Sequence, residues 1–147
     1  MSNSEASFKA EIIKDLRAMV GIHAAVIVPM AGGMSGMPDV YVKWMAYPES
    51  IWLELKWYNR VPTKSVPVNL SPLQRAWITK HLNVGGKAGY LVGCPWGRGW
   101  KIFFGTDPRL EFLELSISAQ IFRERGKPWD MIQILRYVAQ RAEPINF

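Results

Sequence analysis

Apolar side chains recur every three or four positions near the start of the chain, at Phe8, Ile12, Leu16 and Met19. That spacing predicts a helix over residues 5–20, capped by Ser4 and stopped by Gly21. An apolar run over 24–28 predicts a strand, and residues 31–36, with three glycines, a flexible loop. The period then switches to two. Residues 39–44 and 51–57 both read as strands, joined by a hairpin connection over 45–50 that contains Pro48. Residues 59–69 hold two prolines and two basic residues with no periodicity, which predicts a mobile loop. Ser71, Pro72 and Gln74 form the opening of a second helix, a cap, a first-turn proline and a glutamine three residues on. It runs to about Asn83 and ends near Gly85 and Gly86. Strands follow at 88–92 and 101–104 around a loop at 94–99, and residues 108–125 and 129–142 read as helical, broken at 126–128. The order α-β-β-β-α-β-β-α-α predicts an α/β (or α+β) fold, one mixed β-sheet flanked by helices, with a C-terminal helical extension.

Strand alternation brings chemistry into view. In the strand 51–57, Leu53, Leu55 and Trp57 point one way and Trp52, Glu54 and Lys56 the other. In the strand before it Val40, Val42 and Trp44 form the apolar face, opposite Asp39, Tyr41 and Lys43. If the two strands pair, Asp39, Glu54 and Lys56 converge at one end of the sheet. Two carboxylates and the backbone carbonyl of Leu55 make an oxygen-rich site suited to Mg²⁺ or Mn²⁺. A lysine beside it suits the orientation of a water or the stabilisation of a phosphate.

Length and composition set the frame. The 147 residues fit one domain, with 49% of them apolar and able to form a core. Eighteen Lys and Arg against twelve Asp and Glu leave a formal charge of +6, which suits a polyanion partner. The single cysteine, Cys94, excludes an internal disulfide framework and argues for a reducing compartment, and with only His23 and His81 beside it the composition argues against a Cys/His zinc cage. No apolar run approaches a membrane span and no signal peptide is legible, so the expectation is a soluble, cytoplasmic, single-domain protein.

Pro38-Asp39, a fourteen-residue gap and Glu54-Leu55-Lys56 resemble the PD-(D/E)XK nuclease superfamily. Gly36-Met37-Pro38-Asp39-Val40 is similar to the G-x-P-D-hydrophobic signature of its branch of VRR-NUC domains and small phage-type nucleases. Leu70-Ser71-Pro72-Leu73-Gln74, followed by a helix and Gly85-Gly86, is similar to that branch's L-S-P-x-Q … G-G segment. The segment 4–9 resembles its N-terminal helix, which offers a further acid. The resemblance covers residues 4–104 and does not extend to the part from 106 to 147.

It implies a restriction-endonuclease-like core and Mg²⁺- or Mn²⁺-dependent hydrolysis of DNA phosphodiesters by an endonuclease, on duplex or branched DNA such as a junction, a flap or a nick. Asp39, Glu54, the Leu55 carbonyl and Glu5 would hold the metal, Lys56 would position the attacking water, and Gln74 would sit beside the site. The host would be a bacterial or phage-infected cell. A junction cutter makes two cuts, so a homodimer is implied, with the helix at 129–138 as its interface or as core.

Several assignments stay open. At about 100° per residue from Phe8, Glu5 falls at about 60° on the apolar stripe and Glu11 at about −60° on a solvated face. Glu5 is equally an acid placed at a helix start by the macrodipole. Gln74 serves as a site residue, as half of a capping box, or as both. Lys43, Arg60, Lys64, Arg75, Lys80, Lys87 and Arg98 are candidates for phosphate contact, each alone also an ordinary surface cation. Trp44, Trp57 and Trp77 are expected in the core, Trp52 beside the site, and Trp96 and Trp100 as exposed contacts. The competing reading is a non-catalytic nucleic-acid-binding or phage structural protein that retains the fold.

Overall fold

The computed structural model describes residues 4–27 and 36–145. Helix α1 (Glu5–Arg17) begins where Ser4 Oγ accepts the Ser7 amide at 3.1 Å, and it buries Phe8, Ile12, Ile13 and Leu16. It stops three residues earlier than its periodicity suggests, ahead of Gly21, whose φ of 79° turns the chain into β1 (Ile22–Val26). Strands β2 (Val40–Trp44) and β3 (Ile51–Trp57) form the expected hairpin, with Val40 opposite Leu53 and Val42 opposite Ile51. Strand β4 (Ser65–Pro67) is short. Helix α2 (Pro72–Asn83) carries the chain across the sheet to β5 (Lys87–Trp96), which runs parallel to β3. Strands β6 (Gly99–Gly105), β7 (Phe112–Glu114) and β8 (Ala119–Glu124) precede α3 (Met131–Arg141).

Six strands form one mixed sheet in the order β1-β2-β3-β5-β6-β8, and β4 and β7 form a separate pair. Helices cover both faces. Phe8 of α1 lies 5.6 Å from the Trp57 ring, and a Cβ on Gly93 would collide with Phe8. A Cβ on Gly89, four residues back on the same face, would meet Val138 of α3. On the opposite face Trp77 of α2 packs 5.2 Å from Trp52. The central strands are therefore covered twice, and β3 buries Ile51 and the run Leu53, Glu54 and Leu55.

Four sequence expectations are corrected. Residues 108–125 are not a helix: Leu113, Leu115, Ile117, Ala119 and Ile121 alternate at period two, and that pattern builds β7 and β8. The loop at 59–69 contains β4, held in register with β7. The loop at 94–99 is a two-residue turn, since β5 and β6 pair out to Trp96 and Gly99. The C-terminal extension is helical only in α3: β8 adds an edge strand to the main sheet, and α3 buries Met131, Ile134, Leu135 and Val138 against it. That apolar face is core and cannot serve as a dimer interface. The glycine-rich loop lies outside the described residues except for Gly36, as does the end of the strand expected at 24–28.

Candidate active site

Register sets the centre of the site. Asp39 stands one residue before the first β2–β3 pair, so it emerges beside Glu54 and Leu55. Its Oδ2 accepts the Leu55 amide at 2.9 Å, closing the gap where the ladder ends. Extended backbone aims the N–H and C=O of one residue to the same side. The Leu55 carbonyl therefore also looks toward Asp39.

Glu54 projects beside Asp39 from the face of β3 that α2 covers, and its side chain is 3% exposed. Gln74 Nε2 donates to its Oε2 at 3.2 Å, and Lys56 Nζ lies 3.5 Å from the same oxygen. Burial, then the negative charge of Asp39, pushes the Glu54 carboxyl up to about 8, while Lys56 and Lys9 pull against that shift. A buried carboxyl lifted by a second carboxylate is the electrostatic setting that a divalent cation relieves. Two carboxylates and a carbonyl are hard oxygen donors, and they fit Mg²⁺ or Mn²⁺. No cluster of three or more His, Cys, Asp or Glu that could hold a metal occurs among the described residues.

Gln74 caps its helix and reaches Glu54 at once. Its Oε1 accepts the Ser71 amide at 2.9 Å, Ser71 Oγ accepts the Gln74 amide at 3.1 Å, and its Nε2 remains for Glu54. The capping box thus fixes the rotamer that reaches the site. Gly36 docks the approach to Asp39 on the same helix start. Its φ is 88°, and a Cβ there would lie 2.4 Å from the Leu73 carbonyl oxygen.

One residue of the site was not anticipated. Lys9 reaches from α1 to Asp39 Oδ1 at 2.9 Å. Burial would lower its pKa, but the hydrogen bond and charge of Asp39 outweigh it and hold the ammonium above its ordinary value. The helical wheel offered a signal, since Lys9 falls at about 100° from Phe8, next to Leu16 at about 80°. Glu5 is exposed one turn before Lys9, and its charge acts on that ammonium. Glu11 does not face solvent: it pairs with the buried guanidinium of Arg123 on β8.

The basic residues divide. Lys43, Arg60, Lys64, Lys80 and Arg98 are exposed, with Lys43 donating to the Pro48 carbonyl. Arg75 and Lys87 are engaged within the chain. Arg75 donates to the carbonyls of Pro108 and Leu110, and Lys87 to that of Ala142. Trp52 packs with Tyr41, Trp77 and His81 beside Glu54, while Trp100, expected at the surface, is buried under the guanidinium of Arg123. Trp44 is buried, and Trp57 and Trp77 are partly buried against the core.

No family model matches the sequence, and no curated protein does. Among solved structures, that of Hjc from Archaeoglobus fulgidus, a Holliday junction resolvase from an archaeal hyperthermophile, aligns with a TM-score of 0.51. The alignment covers 76% of this chain and 88% of that one at 16% identity. The chain has a restriction-endonuclease-like fold. At that identity the likeness concerns architecture. No helix among the described residues is long and apolar enough to cross a membrane.

Proposed function

We propose that the protein is a divalent-metal-dependent endonuclease that hydrolyses phosphodiester bonds in branched DNA. One observation carries the reading: Asp39, Glu54, Lys56 and Gln74, from three separate sequence motifs, converge around the end of the β2–β3 ladder. The fold shared with a protein described as a Holliday junction resolvase supports branched DNA as the substrate class.

Asp39, Glu54 and the Leu55 carbonyl would hold Mg²⁺ or Mn²⁺, with Glu5 as a more distant acid. A bound divalent cation supplies Lewis-acid stabilisation of the charge that grows on the scissile phosphate. Lys56 sits on the same face as Glu54, with its side chain 17% exposed, so its ammonium can hold a water or a phosphate oxygen at the mouth of the site. Gln74 holds Glu54 in one orientation and places an amide donor beside it. The exposed cations Lys43, Arg60, Lys64, Lys80 and Arg98 would neutralise backbone phosphates, and Arg75 and Lys87 would act through the loop and C-terminus they hold. Paired cuts across a junction would call for two copies of the chain.

The test is incubation of the protein with labelled linear, supercoiled, flapped and four-way DNAs in Mg²⁺, Mn²⁺ or EDTA. Cleavage of branched DNA that needs metal, and that Asp39→Ala and Glu54→Ala each abolish while DNA binding survives, is the expected result. Metal-independent cleavage, or none on any substrate with binding intact, would overturn the reading in favour of a nucleic-acid-binding protein.

A further inference from the structure

Lys9 is the one ammonium within bonding distance of Asp39 among the described residues, and it reaches the site from α1, across from the strands that carry the carboxylates. It takes Oδ1 of a carboxylate whose Oδ2 is already bound to the Leu55 amide. Both partners are only partly buried, Lys9 at 35% and Asp39 at 24% side-chain exposure, so the pair can open without unpacking the core. Lys9 also lines the groove between α1 and β1, a cavity of about 640 Å³ walled by Ala10, Ile13 and Val26 and flanked by Lys14 and Arg17. An ammonium leaving Asp39 thus has room to settle.

We propose that Lys9 is a resident counter-ion, a positioning residue that holds Asp39 Oδ1 in the metal-free protein and competes with the divalent cation for it. The inference rests on the metal-site reading above. In the resting protein Lys9 offsets the repulsion between Asp39 and buried Glu54 and keeps Asp39 aimed at the Leu55 amide. A divalent cation carries twice its charge and would be held by both carboxylates. Once it binds, Lys9 gives up Oδ1 and turns its charge toward the groove, where an incoming phosphate is its natural partner. Lys56 differs: it rises from the same strand as Glu54 and sits against that carboxylate.

The experiment measures Mn²⁺ binding to the full chain without DNA, by electron paramagnetic resonance of free Mn²⁺ and by calorimetry, alongside metal-free thermal melts. Lys9→Met should tighten the Mn²⁺ dissociation constant about threefold or more and lower the metal-free melting temperature, with saturating Mn²⁺ restoring it. Lys9→Arg should keep the affinity near wild type, because the charge still reaches Asp39. Lys14→Met removes an equal charge from the same helix away from Asp39 and should change the constant less than twofold. Unchanged or weaker binding by Lys9→Met, or equal tightening by Lys14→Met, would overturn the competition. Should Lys9→Met not fold, Lys9→Gln answers the same question. Wild-type protein that binds no Mn²⁺ would overturn the metal-site reading and this inference together; binding lost in Asp39→Asn but unmoved in Lys9→Met would overturn this inference alone.

Discussion

Gln74 Nε2 and Glu54 Oε2 lie 3.2 Å apart across the gap between α2 and β3, and the amide oxygen of the same glutamine caps its own helix. The two bonds need the two ends of an amide. A carboxylate serves the cap, since it accepts the Ser71 amide, but it has no proton to donate to Glu54 when ionised. Gln74→Glu should therefore leave the cap intact and set two carboxylates against each other in a buried space. The expected outcome is a lower metal-free melting temperature at pH 8 that recovers toward wild type near pH 5. Single-turnover cleavage should fall about tenfold or more, at least ~1.4 kcal/mol of transition-state stabilisation. A melt and a rate on one preparation check it.

The buried Glu54 carboxyl gives stability a pH dependence. Its pKa rises from 4.5 unfolded to about 8 folded, so between those values the folded state keeps a proton that the unfolded state releases. Stability from this group is greatest below about pH 4.5 and is lost as pH rises toward 8. His81, whose pKa burial lowers, works in the opposite direction near its own range. Glu54→Gln isolates the carboxyl. The variant should melt above metal-free wild type at pH 8.5, by about 2–4 °C for each kcal/mol removed, and the gap should close near pH 5. Millimolar Mg²⁺ should narrow it at pH 8.5 by stabilising wild type alone. A gap independent of pH would contradict the assignment.

Gly36 should resist substitution. An alanine there must adopt a φ near 88° and push its Cβ against the Leu73 carbonyl. Strain of that kind costs about 1–3 kcal/mol. Gly36→Ala should lower the melting temperature and reduce cleavage more than Gly97→Ala, a glycine with positive φ whose Cβ would meet nothing within 4 Å. Thermal melts and single-turnover rates on the two variants make the comparison.

Glu11 and Arg123 bear on stability rather than chemistry. Arg123 is 7% exposed, lies between Trp100 and Trp129, and donates to the Lys127 carbonyl as well as to Glu11. Glu11→Gln leaves a buried guanidinium short of its counter-charge and should cost about 1–3 kcal/mol, read as a lower melting temperature. Cleavage per folded molecule should stay at the wild-type rate.

The alternation of β3 was enough to place Glu54 and Lys56 on one face and Leu53 and Leu55 on the other, because a strand's period of two holds whatever packs on it. The capping box at Ser71 and Gln74 was legible for a similar reason: it is local chemistry over four residues. What lay beyond reach came from elements distant in sequence. The charged, leucine-rich run at 108–125 has helix-forming composition, and composition hid its alternation. That misreading carried a second one with it, for with β8 taken as helix nothing could meet Glu11. The wheel put Glu5 and Lys9 at neighbouring azimuths, yet an azimuth says nothing of height along the axis. Lys9 stands about one turn, ~6 Å, farther along α1 and is the residue that reaches Asp39.

The β2–β3 ladder ends at Val40 and Leu53, whereas β3 stays paired with β5 as far as Trp57 and Gly93. Past Leu53 the strand has a neighbour on one side only, and a side chain stands in for the missing one at Leu55. Amide hydrogens held by a strand exchange with the opening of that strand; an amide held by a carboxylate exchanges when the carboxylate leaves. The Leu55 proton is therefore a gauge of whether Asp39 is in place, readable in resting protein by exchange alone, before any metal or nucleic acid is added.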